Sequence, residues 1–294
     1  MTQKVRAGEL ALPLTATNIY ETHKINDAKR RHDLASLQAF LSRGLVFRSR
    51  HKRLEVEIGQ VLEHACGWPP NKMEALWFLS SVFFEAFAEW RDERLGFPVS
   101  ERVIDYICGR PAHCLYEYLC NTPFNIRVAA VKKFSEGLKL LRGRVEDRRR
   151  RHSNESVPLR RRMYSALLLI DEADLLARAA NKAGISCNTV KAGISCNTVA
   201  DLGGAIVRRV MNDVPTYYVE REIALRLETQ KRPVHENDFR EMQSFCAIIP
   251  YADEVVAEKQ FASLAQQAKL NSKYHTRIMT DILELRKSLQ QLRH

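Results

Sequence analysis

The sequence predicts an α/β fold that is helical through most of its length, on three observations. The chain start reads as a strand followed by a helix, the middle repeats apolar residues at helical spacing, and the stretch Asn237 to Phe261 (NDFREMQSFCAIIPYADEVVAEKQF) reads helix, turn, strand with acids at its joints. With 294 residues, of which 45% are hydrophobic, the chain can bury a core for one large or two ordinary domains.

Taken in order, Glu9 to Leu14 (ELALPL) reads as a short strand, and Thr15 to Asn18 leads into a helix carrying Tyr20, Glu21 and the basic run Lys24 to Arg31. A helix from about Asp27 to Leu41 places Leu34, Leu37 and Leu41 three and four apart, so one face is apolar and the other basic. Met73 to Trp90 (MEALWFLSSVFFEAFAEW) is apolar nearly all round, which predicts a buried helix. Glu85 inside it reads either as a ligand or as an acid paired with an arginine, since a buried carboxylate needs a partner. Helical patterns follow at Val99 to Cys108, Ala112 to Leu119, Asn125 to Arg142, Leu159 to Ala180 and Ala200 to Leu227. The nonapeptide KAGISCNTV at Lys182 to Val190 recurs unchanged at Lys191 to Val199, a recent duplication that extends a loop and adds Cys196 to Cys187. Near the end, Asp238 and Glu241 open a helix one turn apart on one face. Asp253 and Glu258 bracket the β-prone run Glu254 to Ala257, so Glu258 falls where a strand hands over to a helix. In α/β folds such strand ends are the usual place for a site.

The charge balance narrows the partners. Lys and Arg number 46 against 35 acids, a net charge of +11 that suits a phosphate-bearing partner. Nine arginines fall in Arg142 to Arg162 (RGRVEDRRRRHSNESVPLRRR), which reads as a phosphate-contacting surface or as a solvated helix end with a loop at Ser153 to Pro158. No aromatics are interleaved there to stack on bases. The seven cysteines form no CxxC pair, and their odd number without a leader segment fits reduced thiols in a cytoplasmic protein. No apolar run is long enough for a membrane span. Neither GxGxxG nor GxxxxGK[ST] occurs, so a nucleotide cofactor is not expected, and the scattered histidines give no nucleophile arrangement.

The C-terminal NDFREMQSFCAIIPYADEVVAEKQF, with Leu264, Tyr274, Thr276 and the following TRIMTD segment, resembles the second half of a PIN-like ribonuclease domain. LPLTATNIYETHKINDAKRR resembles the early strand and helix of bacterial, toxin-type members of that family. The likeness covers about eighty residues at the two chain ends. It implies a PIN-like parallel sheet flanked by helices, built from 1–50 and 231–294, with 51–230 as a helical insertion. It also implies an acid cluster binding Mg²⁺ or Mn²⁺, from Glu21, Asp238, Glu241, Asp253 and Glu258, with Glu21, Glu241 and Glu258 catalytic. Converging carboxylates hold divalent ions that activate a water and neutralise charge on a scissile RNA phosphate. Lys24, Arg30, Arg31, Arg148, Arg149, Arg150 and Arg151 are the expected RNA contacts, and an antitoxin-like protein is the expected partner.

Three positions depart from the family pattern. Members open with a strand bearing an aspartate in a Leu-Asp-x-Asn pattern, whereas no acid precedes Glu9 here. Asn18 stands where histidine is frequent, and Ala257 where threonine often precedes the last acid. The resemblance therefore implies a scaffold truncated or degenerate at its first acid, with weakened metal binding, and a decayed reading frame fits the same departures. The alternative is a non-catalytic helical protein that binds nucleic acid or a partner, in which the acids cap helices; Asp238 near a helix start suits that role.

Overall fold

The computed structural model describes residues 1–69, 72–87, 99–182, 204–230 and 232–291. Most of these are helical, and the chain divides into two compact units. The first comprises Met1–Ser49, Leu76–Gly143 and His235–His294; the second comprises Arg50–Ala75 and Arg144–Val234. Both chain ends thus belong to one unit, which also takes in Leu76–Gly143.

The first unit begins with α1 (Thr2–Ala7), α2 (Ala16–His23) and α3 (Ala28–Ser42). Asp27 caps α3 by accepting the Arg30 amide at 2.8 Å. Arg43 and Gly44 end the helix in the left-handed region, with φ of 57° and 78°. Gly44 has a second constraint: a Cβ there would stand 2.2 Å from the Pro111 carbonyl carbon. Any side chain at Gly44 would push away α6 (Pro111–Asn121), the helix against which α3 packs. Between α3 and α6 lie β1 (Val46–Phe47), β2 (Leu79–Ser80), a 3-10 turn at Phe83–Ala86 and α5 (Glu101–Gly109). Leu14, Ile19, Ala35, Val46, Leu115 and Leu119 close one core, and Val82, Phe84, Ile104 and Ile107 a second. The unit is completed by residues of α7 (Phe124–Arg151), by α12 (Glu236–Ile248), β3 (Glu254–Val256), α13 (Lys259–Gln267), α14 (Leu270–Tyr274), β4 (Arg277–Met279) and α15 (Ile282–Gln291).

Extended structure is scarce. β1 pairs with β2 antiparallel, Leu14 bridges Val46 in parallel, and β3 pairs with β4 in parallel at Glu254↔Arg277 and Val256↔Met279. No PIN-like parallel sheet is evident among the described residues, so that part of the expected fold is replaced by a predominantly helical architecture. Local chemistry explains part of the difference. The expected strand Glu9–Leu14 contains Pro13, which has no N–H to give a ladder, and only Leu14 pairs. Thr2–Ala7 before it is helical. The helix expected at Met73–Trp90 is absent over its described part: Leu79–Ser80 pairs with β1 and Phe83–Ala86 makes one tight turn. A short apolar run rich in aromatics suits a buried strand as well as a helix, and β1 supplied a partner. There Arg48 stands 3.3 Å from the Glu85 carboxylate. The end of that stretch, and the duplicated nonapeptide with Cys187 and Cys196, fall outside the described residues.

The second unit is built from α4 (Arg50–Ala65), the last turns of α7, α8 (Val157–Asp171), α9 (Ala173–Lys182), α10 (Gly204–Asp213) and α11 (Pro215–Thr229). α11 is its central helix, with eleven of its residues buried, among them Glu220, Arg221, Glu222 and Glu228. Glu57 of α4 accepts both the Thr216 amide at 2.8 Å and the Thr216 hydroxyl at 2.7 Å, so a carboxylate from another helix caps the start of α11.

Candidate functional site

Three of the acids implied by the family resemblance approach one another in the first unit. α2 is started by a reciprocal pair in which Asn18 accepts from the Thr15 amide and hydroxyl, each at 2.9 Å. Glu21 follows on the next turn. α12 lies alongside, tied by Thr17 Oγ1 donating to the Arg240 carbonyl at 3.4 Å and by the Thr15 and Ser244 hydroxyls at 3.3 Å. This contact places Glu21 beside Arg240 and Glu241, although Glu21 and Arg240 are 219 positions apart in sequence. Glu258 enters from the end of β3, where it is the N-cap residue of α13.

The electrostatics of the cluster centre on Glu241. Burial pushes its carboxyl above the usual carboxylate range, and the charges of Glu258 and then Glu21 push it further in the same direction. Among the described residues nothing donates a hydrogen bond to it. Glu21 is treated differently: one oxygen accepts from Arg240 at 2.9 Å and from Lys24 at 2.8 Å. The other guanidinium arm of Arg240 bonds Glu236, which also accepts the Ser135 hydroxyl at 2.9 Å. Arg240 thus clasps two acids, and its side chain is only 15% exposed.

The remaining acids stand apart in role. Asp238 is buried and accepts the His235 amide at 2.7 Å, the reciprocal cap of α12, while its other oxygen faces Gln260 Nε2 at 3.4 Å. Asp253 is exposed, and its carbonyl holds the Arg277 amide at 2.8 Å where β3 meets β4. Among the described residues no three His, Cys, Asp or Glu side chains are arranged to hold a metal ion. The donor set as arranged does not fit Mg²⁺ or Mn²⁺: one acid is clasped by cations, one is a helix cap, and one is solvent-facing.

The expected RNA contacts divide sharply. Lys24 pairs with Glu21, Arg31 donates to the Ile25 carbonyl at 2.8 Å, and Arg30 is exposed. In the second unit Arg148 binds Glu228 at 2.8 Å, and Arg149 binds the carbonyls of Gln230 and Arg232. Arg150 and Arg151 are exposed and both pair with Asp147 on their own helix. Arg160 and Arg161 reach Glu228 and Glu222. Much of the run is therefore spent inside the protein. Arg240 was not among the expected site residues; its spacing of four from Glu236 was the available signal, and that spacing alone is common on helices.

No protein-family model matches the chain, and neither do any curated protein or solved structure. Among the described residues no helix is long and apolar enough to cross a membrane.

Proposed function

We propose that the unit containing both chain ends is a PIN-like ribonuclease scaffold acting on RNA, with its acids in an inactive arrangement. The observation that carries this reading is the approach of Glu21, Glu241 and Glu258, from opposite ends of the chain, to within electrostatic reach of one another. A helix-capping role explains Asp238 but not a half-buried Glu241 that has two like charges beside it. The inactive part of the reading rests on Arg240 and Lys24, which neutralise Glu21 where a divalent ion would be needed. Arg30 and Arg31, in the first turn of α3, offer the RNA backbone their charge, while Lys24 just after α2 is held by Glu21.

The test uses the full chain and a single-stranded RNA. It is expected to bind with an affinity that falls steeply with salt, and Arg30→Gln combined with Arg31→Gln weakens it. Mn²⁺ is expected to give neither cleavage nor saturable thermal stabilisation. Manganese-stimulated cleavage that Glu241→Gln abolishes would refute the inactive arrangement, and absence of RNA binding would sink the scaffold reading.

A second reading, a non-catalytic helical protein that binds an antitoxin-like or other protein partner, is favoured by one observation. Phe124 and Val128, four apart on one face at the start of α7, are 60% and 48% exposed, a small apolar patch. Failure to bind RNA, together with complex formation lost in Phe124→Ser, would select it.

A further inference from the structure

An open cleft of about 520 Å³ in the first unit lies away from the acid cluster, between α1, the end of α3 and the start of α6. Its charged lining is one-sided: Arg6, Arg43 and Arg110, with His113 beside them and no acid among the lining residues. None of the three guanidiniums forms an ion pair or a hydrogen bond with a described residue. Each is instead propped by an uncharged neighbour. Arg6 lies over the Phe40 ring at 6.0 Å and Arg110 over Tyr106 at 5.5 Å. Arg43 rests against Gly8, where a Cβ would come within 3.0 Å of its Nη1. Supports of this kind hold the planar forks while leaving N–H donors unspent. Arg43 also carries a left-handed backbone, uncommon for a residue other than glycine or asparagine.

We propose that this cleft binds the phosphate group of a small phosphate monoester of nucleotide size. Three exposed guanidiniums line one open cleft with no acid in its lining, and arginine forks match phosphate oxygens. The first turn of α6 adds to the same field, since it holds no acid and its N-cap Arg110 makes no side-chain cap. The volume exceeds what a bare phosphate fills, and Val5, Ala39 and Pro111 give an apolar wall for the rest of the molecule. The site depends on neither a divalent ion nor the reading of the acid cluster, so its failure and that of the ribonuclease scaffold are separately visible.

The experiment is calorimetric titration of the full chain with uridine 5′-monophosphate, inorganic phosphate and uridine, at constant ionic strength set with chloride and without divalent ions. Saturable binding of the monophosphate, weaker binding of phosphate and none of uridine are expected. Arg43→Gln and Arg110→Gln should each weaken binding about tenfold, and Lys287→Gln, which removes the same charge from an exposed position of α15, should not. Ala112→Glu keeps a helix-compatible first turn and should abolish binding by placing a carboxylate in the cleft. Equal binding of uridine, or equal loss in Lys287→Gln and Arg43→Gln, overturns the site. A 5′-phosphorylated trinucleotide binding tenfold tighter than the monophosphate overturns the small-ligand assignment in favour of an RNA end.

Discussion

Glu222 in one unit and Glu241 in the other are both largely withdrawn from water, yet their carboxyls move in opposite directions. Burial pushes Glu222 up, but hydrogen bonds from Arg161 and Arg226 and the charges of Arg161 and Arg221 outweigh it, and the group ends below the usual carboxylate range. Burial pushes Glu241 up too, and there the neighbours are Glu258 and Glu21, which add to the push. The difference is in what surrounds each acid. The second unit spends its arginines on its own acids, as with Glu228 between Arg148 and Arg160, and Glu220 against Arg50. Among the described residues the first leaves Glu241 without a cation, and carboxyls raised by burial and like charges are found most at functional sites.

The comparison breaks most visibly at Glu228. Glu228→Ala leaves Arg148 and Arg160 without their carboxylate, Arg160 being only 9% exposed, and should cost about 3–5 kcal/mol in urea unfolding. A loss below about 1 kcal/mol would show that the second unit's ion pairs are not what holds α11. Glu57→Ala comes next: the Thr216 amide and hydroxyl lose their acceptor, for about 1–3 kcal/mol. Glu241→Gln has the opposite sign. Removing a carboxylate that two like charges oppose should raise stability at pH 7, by under about 1 kcal/mol after allowing for solvent screening, whereas a destabilised variant would mean that a cation holds Glu241 after all.

Smallest of all is the pH signature. Glu241, raised in the folded state, contributes stability that is fully present below its unfolded value near 4.5 and is lost as pH rises through the folded value. Glu222, lowered, contributes stability present above 4.5 and lost as pH falls through its folded value. Replacing Glu241 with Gln should therefore flatten the fall on the higher-pH side, and replacing Glu222 with Gln should flatten the acid limb. Stability curves from pH 3 to pH 7 that respond identically to both substitutions would remove the contrast.

Helical content, the start of α3 at Asp27 and the strand at Glu254–Val256 were legible in the sequence because caps, apolar spacing and β-branched runs act over a few residues. The same locality misleads at Met73–Trp90, where the pairing of Leu79 with Phe47 is a contact 32 positions long that no window contains. The acids were legible as residue types and their approach as an expectation of resemblance; their partners were not. Nothing in the run Arg142 to Arg162 says that Arg148 meets Glu228 while Arg151 stays on the surface.

By itself the sequence determined a helical chain, a basic balance and a set of acids at element joints, since composition and short-range periodicity are properties of neighbours along the chain. Only the tertiary structure decided which charges meet. Packing α2 against α12 set Arg240 on Glu21 and left Glu241 with like charges, while α6 brought Arg110 to the cleft of Arg6 and Arg43. Coulomb energies depend on distance through space and on the water removed between charges, and both are fixed only when the elements close on one another.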